Sequence, residues 1–149
     1  MEGSSPSAPQ PLSPQTPKHP HAQKALDLLD RGRQLQTQGR MPDALNALLE
    51  AETLNPQEVA IQTDLAITLL RLGLLDRSAR HSRKAISLDP KSPKHQVNLG
   101  AALYELRDFQ GAADAFGKAL ELDPSETAAR FNLANTYTEV QMYSASIKE

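Results

Sequence analysis

The 149-residue chain contains no cysteine and no tryptophan, and aromatic residues make up only 4% of it. The lack of cysteine excludes disulfide bonds, thiol nucleophiles and thiolate metal ligands together. The formal net charge is −2 at pH 7, which is too small to attract nucleic acid or an anionic membrane by long-range electrostatics. We therefore expect no nucleic-acid partner and no membrane partner, and a modest core built mostly from Leu and Ala.

Long apolar segments are also missing from the sequence. Neither an N-terminal apolar stretch nor a long uncharged apolar run is present, so the sequence predicts no secretory signal and no transmembrane helix. A chain without cysteine is compatible with a reducing compartment. The expected location is cytoplasmic, with the nucleus as the alternative.

Proline is plentiful, and much of it lies at the N-terminus. Six of the eleven prolines fall in residues 1–22, which the sequence predicts to be a disordered Pro/Ser-rich tail, because the segment has too little apolar surface to offset the entropy of ordering. The segment 11–14 fits a PxxP ligand, and Ser13 and Thr16, each followed by proline, resemble phosphorylation sites. An unstructured tail without a ligand role is the simpler interpretation.

The rest of the chain repeats with a period of 34 residues. Pro56, Pro90 and Pro124 each end the same short motif. The motif begins with Ala and finishes with Leu, then Asn or Asp, then Pro. Small residues recur in one aligned column and large ones in another: Gly32, Ala66, Gly100 and Ala134, then Leu35, Leu69, Leu103 and Tyr137. A fixed period in this range indicates a stacked solenoid.

Each copy contains two helical segments. The third copy has apolar or small residues at helical spacing from Leu99 to Leu106, and again from Ala112 to Leu120. Small side chains opposite large ones allow two helices to pack closely, and the terminal proline ends the second helix. The turn between the two segments is marked by one column: Gly39, Gly73, Arg107 and Gln141.

These residues and spacings resemble the tetratricopeptide repeat (TPR) family, over about five sixths of the chain. The resemblance implies an all-α fold, a right-handed α-solenoid of antiparallel helix pairs. We predict a TPR domain at residues 23–149, with repeats at about 25–58, 59–92 and 93–126 and a partial repeat at 127–149.

The last copy differs from the others. We expect its first helix at about residues 127–140 and only part of a second helix after it. The unfinished copy suggests a fragment or isoform of a longer array, or an end that another molecule caps.

Five residues depart from the family pattern at positions where it prefers apolar side chains: Arg31, Gln62, Ser82, Gln96 and Arg130. We expect the helices to pack more loosely against one another at these positions. The first copy is expected to be an atypical edge repeat.

No catalytic constellation is apparent in the sequence. His19 and His21 lie in the tail, and His81 and His95 lie on different helices without a carboxylate or cysteine at ligand spacing. We expect His81 and His95 to be exposed on helix surfaces. The chain is therefore expected not to be an enzyme and to bind no metal and no cofactor.

The surface most informative about function is one side of each first helix. Positions 2, 6, 9 and 13 of every copy lie on this side, opposite the core. The resemblance implies that first helices line a concave groove, so these positions would face a bound peptide. The candidate peptide-binding residues are Asp30, Arg33, Asp64, Arg71, Lys94, Asn98, Glu105, Asn132 and Asn135.

Asparagine and aspartate would act differently in such a groove. An amide offers a donor and an acceptor, so Asn98 and Asn132 could bond the backbone of an extended peptide without selecting its side chains. Asp30 and Asp64 accept only, which favours ligand donors or cationic side chains near the first copies.

Chaperone-binding TPR proteins share a basic clamp for a terminal carboxylate. The matching positions here hold Leu29 and Arg33, then Asp64, then Lys94 and Asn98. Asp64 would repel a carboxylate, and alignment one copy later supplies no cation at all. The clamp is therefore disfavoured.

The favoured function is a protein–protein interaction adaptor or scaffold that binds an extended peptide segment of a partner in the groove. One alternative is the substrate-recruiting TPR portion of a larger enzyme, such as a protein O-GlcNAc transferase-like glycosyltransferase. Asn98 and Asn132 resemble the asparagine columns of such transferases. A second alternative is a structural solenoid that self-associates through its incomplete C-terminal repeat.

Overall fold

The computed structural model describes residues 3, 5–6, 8–9 and 20–148, and within them the chain forms seven α-helices and no strand. The PxxP segment, Ser13, Thr16, His19 and most of the predicted disordered tail fall outside the described residues, but the end of that tail at residue 22 is wrong, because residues 20–22 belong to the first helix. The helices are α1 (Pro20–Thr37), α2 (Met41–Leu54), α3 (Val59–Arg71), α4 (Leu75–Leu88), α5 (Pro93–Glu105), α6 (Phe109–Leu122) and α7 (Thr127–Ile147).

The helices pack as a stack of pairs. Helix α1 packs on α2, α3 on α4, and α5 on α6, while each second helix also contacts the first helix of the next pair. The first helices α1, α3, α5 and α7 contact one another in sequence, so they share one surface. This arrangement confirms the predicted all-α solenoid. None of the helices in the described part is long and apolar enough to cross a membrane.

Close helix contact explains the column of small residues. A Cβ atom placed on Gly100 would lie 2.5 Å from Cε1 of Phe116, and one placed on Gly32 would lie 2.8 Å from Cδ2 of Leu48. Phe116 and Leu48 are themselves almost fully buried. In the first and third pairs the second helix thus inserts a large side chain against the backbone of the first, at a position that excludes bulk, whereas the matching residues of the second pair are Ala66 and Ser82.

The turn inside each pair requires a left-handed backbone. Gly39, Gly73 and Arg107 have φ angles of 74°, 76° and 66°. Glycine adopts this region readily, whereas Arg107 does so at a cost of about 1 kcal/mol. Its guanidinium carbon lies 5.4 Å from the centre of the Phe109 ring, a cation–π contact that offsets part of this cost.

The fourth copy does not make this turn. Gln141 occupies the turn column, but α7 continues without a break from Thr127 to Ile147, so the expected helix end near residue 140 is wrong. A left-handed turn at a residue other than glycine is unfavourable unless packing offsets it. Residues 141–148 are all exposed, so no tertiary contact offsets the cost and the helix extends.

Two of the five departures from the apolar pattern, Gln62 and Arg130, form polar contacts to the backbone. The buried Gln62 donates from Nε2 to the carbonyl oxygen of Pro56 at 3.1 Å. Arg130, two repeats after Gln62 in the same column, donates in the same way to the carbonyl oxygen of Pro124. Arg31 is exposed on the outer side of α1. Ser82 is buried, and its Oγ has no hydrogen-bond partner within the described chain.

The prediction that His81 and His95 are exposed is wrong. Nδ1 of His81 lies 2.8 Å from Oε1 of Gln62 and 3.5 Å from Oε2 of Glu52, between α2, α3 and α4. His95 is 6% exposed, and its Nε2 lies 3.5 Å from Oδ2 of Asp89. The repeat alignment contained the signal, because the column of His95 also holds the buried residues Ile61 and Ala129.

Candidate functional site

Two cavities lie on the surface that successive first helices form. The larger, of about 400 Å³, lies where α3 ends and α5 and α7 run past it; its lining residues are Leu70, Arg71, Gly73, Leu75, Ala101, Tyr104, Glu105, Phe116, Asn132 and Asn135. The smaller, of about 210 Å³, is lined by Thr63, Ile67, Lys94, Val97, Asn98, Glu126 and Ala128. Both cavities are therefore built from three consecutive repeats.

The larger cavity combines an apolar lining with hydrogen-bonding groups. Leu70, Leu75 and the ring of Phe116 supply the apolar surface. The amides Asn132 and Asn135 come from one side of α7, where each offers a donor and an acceptor. This is the composition of a site that accepts an apolar group and fixes its orientation by a few polar contacts.

One cation and one anion stand at each cavity. Arg71 and Glu105 line the larger, and Lys94 and Glu126 line the smaller. Neither cavity therefore presents a surface of one sign. A ligand with a single strong charge would meet attraction and repulsion together.

Six of the nine predicted site residues line these cavities. They are Arg71, Glu105, Asn132 and Asn135 in the larger, and Lys94 and Asn98 in the smaller. The other three lie near the N-terminal end of the same surface. Asp30 is exposed on α1, and Arg33 and Asp64 are bonded to each other.

The N-terminal part of the surface is closed by contacts within the chain. Nε of Arg33 donates to Oδ2 of Asp64 at 2.7 Å, and Nε2 of Gln36 donates to Oγ1 of Thr68 at 2.7 Å. Burial raises the pKa of the Asp64 carboxyl, while the Arg33 hydrogen bond and charge oppose that rise. The donor that we expected a ligand to bring to Asp64 is supplied by the first repeat itself.

Sequence reasoning did not select Tyr104, which lines the larger cavity. Its hydroxyl donates to Oε1 of Glu139 at 3.4 Å, and its ring packs edge-on against Phe109 at 5.4 Å between centres. Tyr104 shares its repeat column with Leu70, which lines the same cavity. A column next to the selected ones therefore carried the signal.

Titratable groups do not assemble into a reactive site in the described residues. No group of three or more His, Asp or Glu side chains there could hold a metal ion. The two His–carboxylate pairs in this part of the chain, His81 with Glu52 and His95 with Asp89, lie between helices and line neither cavity.

Comparison with known families agrees with this architecture. Two models described as "Tetratricopeptide repeat" match the chain, one over residues 29–93 and the other over residues 96–126. The chain therefore belongs to the tetratricopeptide repeat family. No curated protein sequence matches it.

Solved TPR structures share its fold. The first TPR domain of human RPAP3 has a TM-score of 0.79 and 22% identity, and the match covers 84% of this chain and 98% of that one. The first TPR of Spaghetti (RPAP3), solved bound to the HSP90 peptide SRMEEVD, has a TM-score of 0.78 and 23% identity, with 80% and 95% covered. The O-GlcNAc transferase of Thermobaculum terrenum, as its K341M mutant, has a TM-score of 0.73 and 22% identity, with 80% of this chain and 23% of that one covered.

Proposed function

We propose that the chain is an adaptor that binds an extended segment of another protein along the surface of its first helices, at the two cavities. The fold and the family are those of a protein-interaction adaptor. The position of the amides carries the proposal further. Asn98 lines the smaller cavity, and Asn132 and Asn135 line the larger, so amides recur where a ligand would lie.

The cavities define the kind of segment that fits. An extended backbone has an unpaired donor and acceptor at every residue, which side-chain amides can satisfy without selecting the sequence. The volume of about 400 Å³ beside Phe116 and Leu75 suits a large apolar side chain. Because ordering an extended peptide consumes part of the interaction free energy, we expect micromolar affinity.

A clamp for a terminal carboxylate is not part of this proposal. At the positions that such a clamp would use, Leu29 is buried, Asp64 is an acid, and Arg33 is bonded to Asp64. The one unpaired cation near these positions in the described structure is Lys94, beside Glu126. We therefore propose that an internal segment of the partner binds, and not its C-terminus.

We also propose that the chain performs no catalysis of its own. Its two described His and acid pairs lie between helices and line neither cavity, and the side chains of His81 and His95 are only 14% and 7% exposed. A cytoplasmic or nuclear site of action is part of the same proposal, and imaging of a fluorescent fusion tests it.

The decisive experiment selects ligands from a random peptide display library on the full chain and measures each selected peptide by fluorescence anisotropy. Asn98→Ala combined with Asn132→Ala should weaken binding by about tenfold or more, because each change removes hydrogen bonds worth about 1 kcal/mol. Amidation of the peptide C-terminus should leave binding unchanged.

Asn46→Ala is the matched control, because Asn46 is an exposed asparagine on the second helix α2. Circular dichroism should show equal helicity in all variants. Equal binding by the double variant and the control, or a requirement for a free peptide carboxylate, would refute the proposed site.

A further inference from the structure

The outward side of α4 is basic. Helix α4 packs against α3 and α5, and the residues that it buries are small and lie on one side of the helix. Four cations lie on the other side, within about 120° of one another around the helix axis. They are Arg77, Arg80, Arg83 and Lys84, and we call them the α4 basic face. Asp76, on the same side, is the one acidic residue of this helix.

The side chains of the α4 basic face have no ion-pair partner in the described part of the chain. Other arginines of the molecule do: Arg33 and Arg40 pair with carboxylates at 2.7 Å and 2.8 Å. Arg80 and Arg83 are exposed, so a ligand can reach them from solvent. Their guanidinium groups therefore offer several N–H donors to a bound anion.

The repeat does not need cations at these positions, because the same columns hold other residue types in the neighbouring repeats. The corresponding residues are Asp43, Asn46, Leu49 and Glu50 on α2, and Gly111, Asp114, Gly117 and Lys118 on α6. Like charges three and four residues apart destabilise a helix, and α4 carries such pairs where α2 and α6 do not. The repeat packing therefore does not explain the charges of α4, whereas a binding role does.

The cations act together on a neighbouring group. Burial lowers the pKa of His81 and Glu52 opposes this, but the positive charges of Arg77, Arg80 and Lys84 lower the pKa further. These cations therefore produce a local positive potential on this side of α4, although the chain as a whole has a net charge of −2. A carboxylate bound here would be attracted by several cations at once.

The flanks of the α4 basic face decide which kind of partner fits. Asp43 and Glu50 on α2 and Asp114 on α6 are exposed in the columns that the cations occupy on α4. From Arg77 to Lys84 the face extends only about 10 Å along the helix. A nucleic-acid duplex or a membrane surface is much wider, so its phosphates would also meet these acids. We propose that the α4 basic face binds a short run of Asp and Glu residues in a partner protein.

The spacing of the arginines suits such a ligand. A guanidinium group can bond a carboxylate through two parallel N–H donors. Arg77, Arg80 and Arg83 follow one another at three-residue intervals, which separates neighbouring Cβ atoms by about 5–6 Å. Carboxylates on one side of a strand recur at about 7 Å, and those of a helix at about 5–6 Å, so either form of an acidic segment can meet several cations. None of the four cations lines either cavity, so this surface is separate from the proposed peptide site.

A defined acidic peptide tests the surface. The probe is a fluorescein-labelled peptide in which Glu and Ala alternate over about ten residues, with a peptide of Gln and Ala as its uncharged counterpart. Fluorescence anisotropy at low ionic strength, where exposed charges are least screened, should show binding of the Glu peptide to the full chain and none of the Gln peptide. Equal binding of the two peptides would overturn the proposal.

Two double variants of the α4 basic face measure its contribution. Arg80→Glu combined with Arg83→Glu should weaken binding of the Glu peptide by at least about tenfold, because two attractions become repulsions. Both side chains are exposed, so the helix should be kept, and circular dichroism checks this. Arg80→Gln combined with Arg83→Gln introduces no new charge and should weaken binding by at least about threefold. Unchanged binding by a folded variant of either kind would refute the site.

A charge-matched control separates the α4 basic face from the net charge of the chain. Arg31→Glu combined with Lys148→Glu changes the net charge equally, but Arg31 and Lys148 are exposed on α1 and after α7, which do not pack on α4. Binding should stay within about twofold in this control and in Asn98→Ala combined with Asn132→Ala. Equal weakening by both charge variants, or loss of binding in the asparagine variant, would overturn the proposal. Tighter binding of a short DNA duplex or of phosphatidylserine vesicles than of the Glu peptide would do the same.

Discussion

The first and last helices of the described residues, α1 and α7, expose different kinds of residue on their outward sides. On the outer side of α1, Asp27, Arg31 and Gln34 are exposed at positions where the next repeat buries Ile61, Leu65 and Thr68: the columns are the same and the residue types differ. On the uncovered face of α7, by contrast, the large and small residues of the interior pattern persist. The outer side of α1 is thus polar, whereas the open side of α7 keeps residue types of the interior pattern, such as Ala134 and Tyr137.

The largest effect should come from truncating one column at the two kinds of position. Leu69→Ala removes a fully buried side chain and should lower the free energy of unfolding by about 2–5 kcal/mol. Tyr137→Ala, in the same column on the open face of α7, should cost less than about 1 kcal/mol. Chemical denaturation monitored by circular dichroism measures both, at a concentration where the chain is monomeric. Similar losses would mean that the α7 face is covered.

Replacing glycine by alanine should also give opposite results at a packed and an open position, with smaller changes in the free energy of unfolding. Gly100→Ala forces a methyl group against the Phe116 ring and should destabilise by about 1–2 kcal/mol, after a gain in helix propensity is subtracted. Gly117→Ala is the control, because a Cβ there meets nothing within 4 Å. It should stabilise α6 by about 0.5–1 kcal/mol, and a loss of stability would contradict the packing described.

Replacing the arginines on the two sides of α1 should change the free energy of unfolding by less. Arg33→Ala removes the partner of Asp64 and should cost about 0.5–1 kcal/mol, since the Arg33 side chain is half exposed and screened by solvent. Arg31→Ala, on the outer side, should be neutral within about 0.5 kcal/mol. NMR titration should show the pKa of Asp64 rising further in Arg33→Ala and staying unchanged in Arg31→Ala.

The smallest effect concerns acid sensitivity of the N-terminal half. Burial lowers the pKa of His81 below its ordinary value of 6.5, against an opposing effect of Glu52. As the pH falls, the unfolded chain therefore takes up the His81 proton at a higher pH than the folded chain does. The stability that is present above pH 6.5 is lost as the pH falls from there through the lowered folded-state pKa. His81→Gln should flatten this dependence, measured by thermal melts from pH 7.5 to about 5. An unchanged slope would show that His81 does not carry it.

The sequence predicted the stack and the pairing of the helices, because both depend on patterns that recur in phase, and six of the nine residues that it selected line the two cavities. Its failures fall where a residue's neighbours decide the outcome. The sequence predicted that Arg33 is available to a ligand, but its Nε lies 2.7 Å from Oδ2 of Asp64 in the next repeat. It also predicted that His81 is exposed, but α2 and α3 pack around it. Gln141 matched a turn column, but the turn needs packing that α7 does not have.

The helices contact only those one or two places away along the chain, throughout the part that the structure describes. No single cluster therefore holds the whole molecule together, and a repeat can detach without disturbing repeats that it does not touch. Under mechanical load applied to its two ends, the protein should peel open in steps of one helix pair, and the region around α7 should release first.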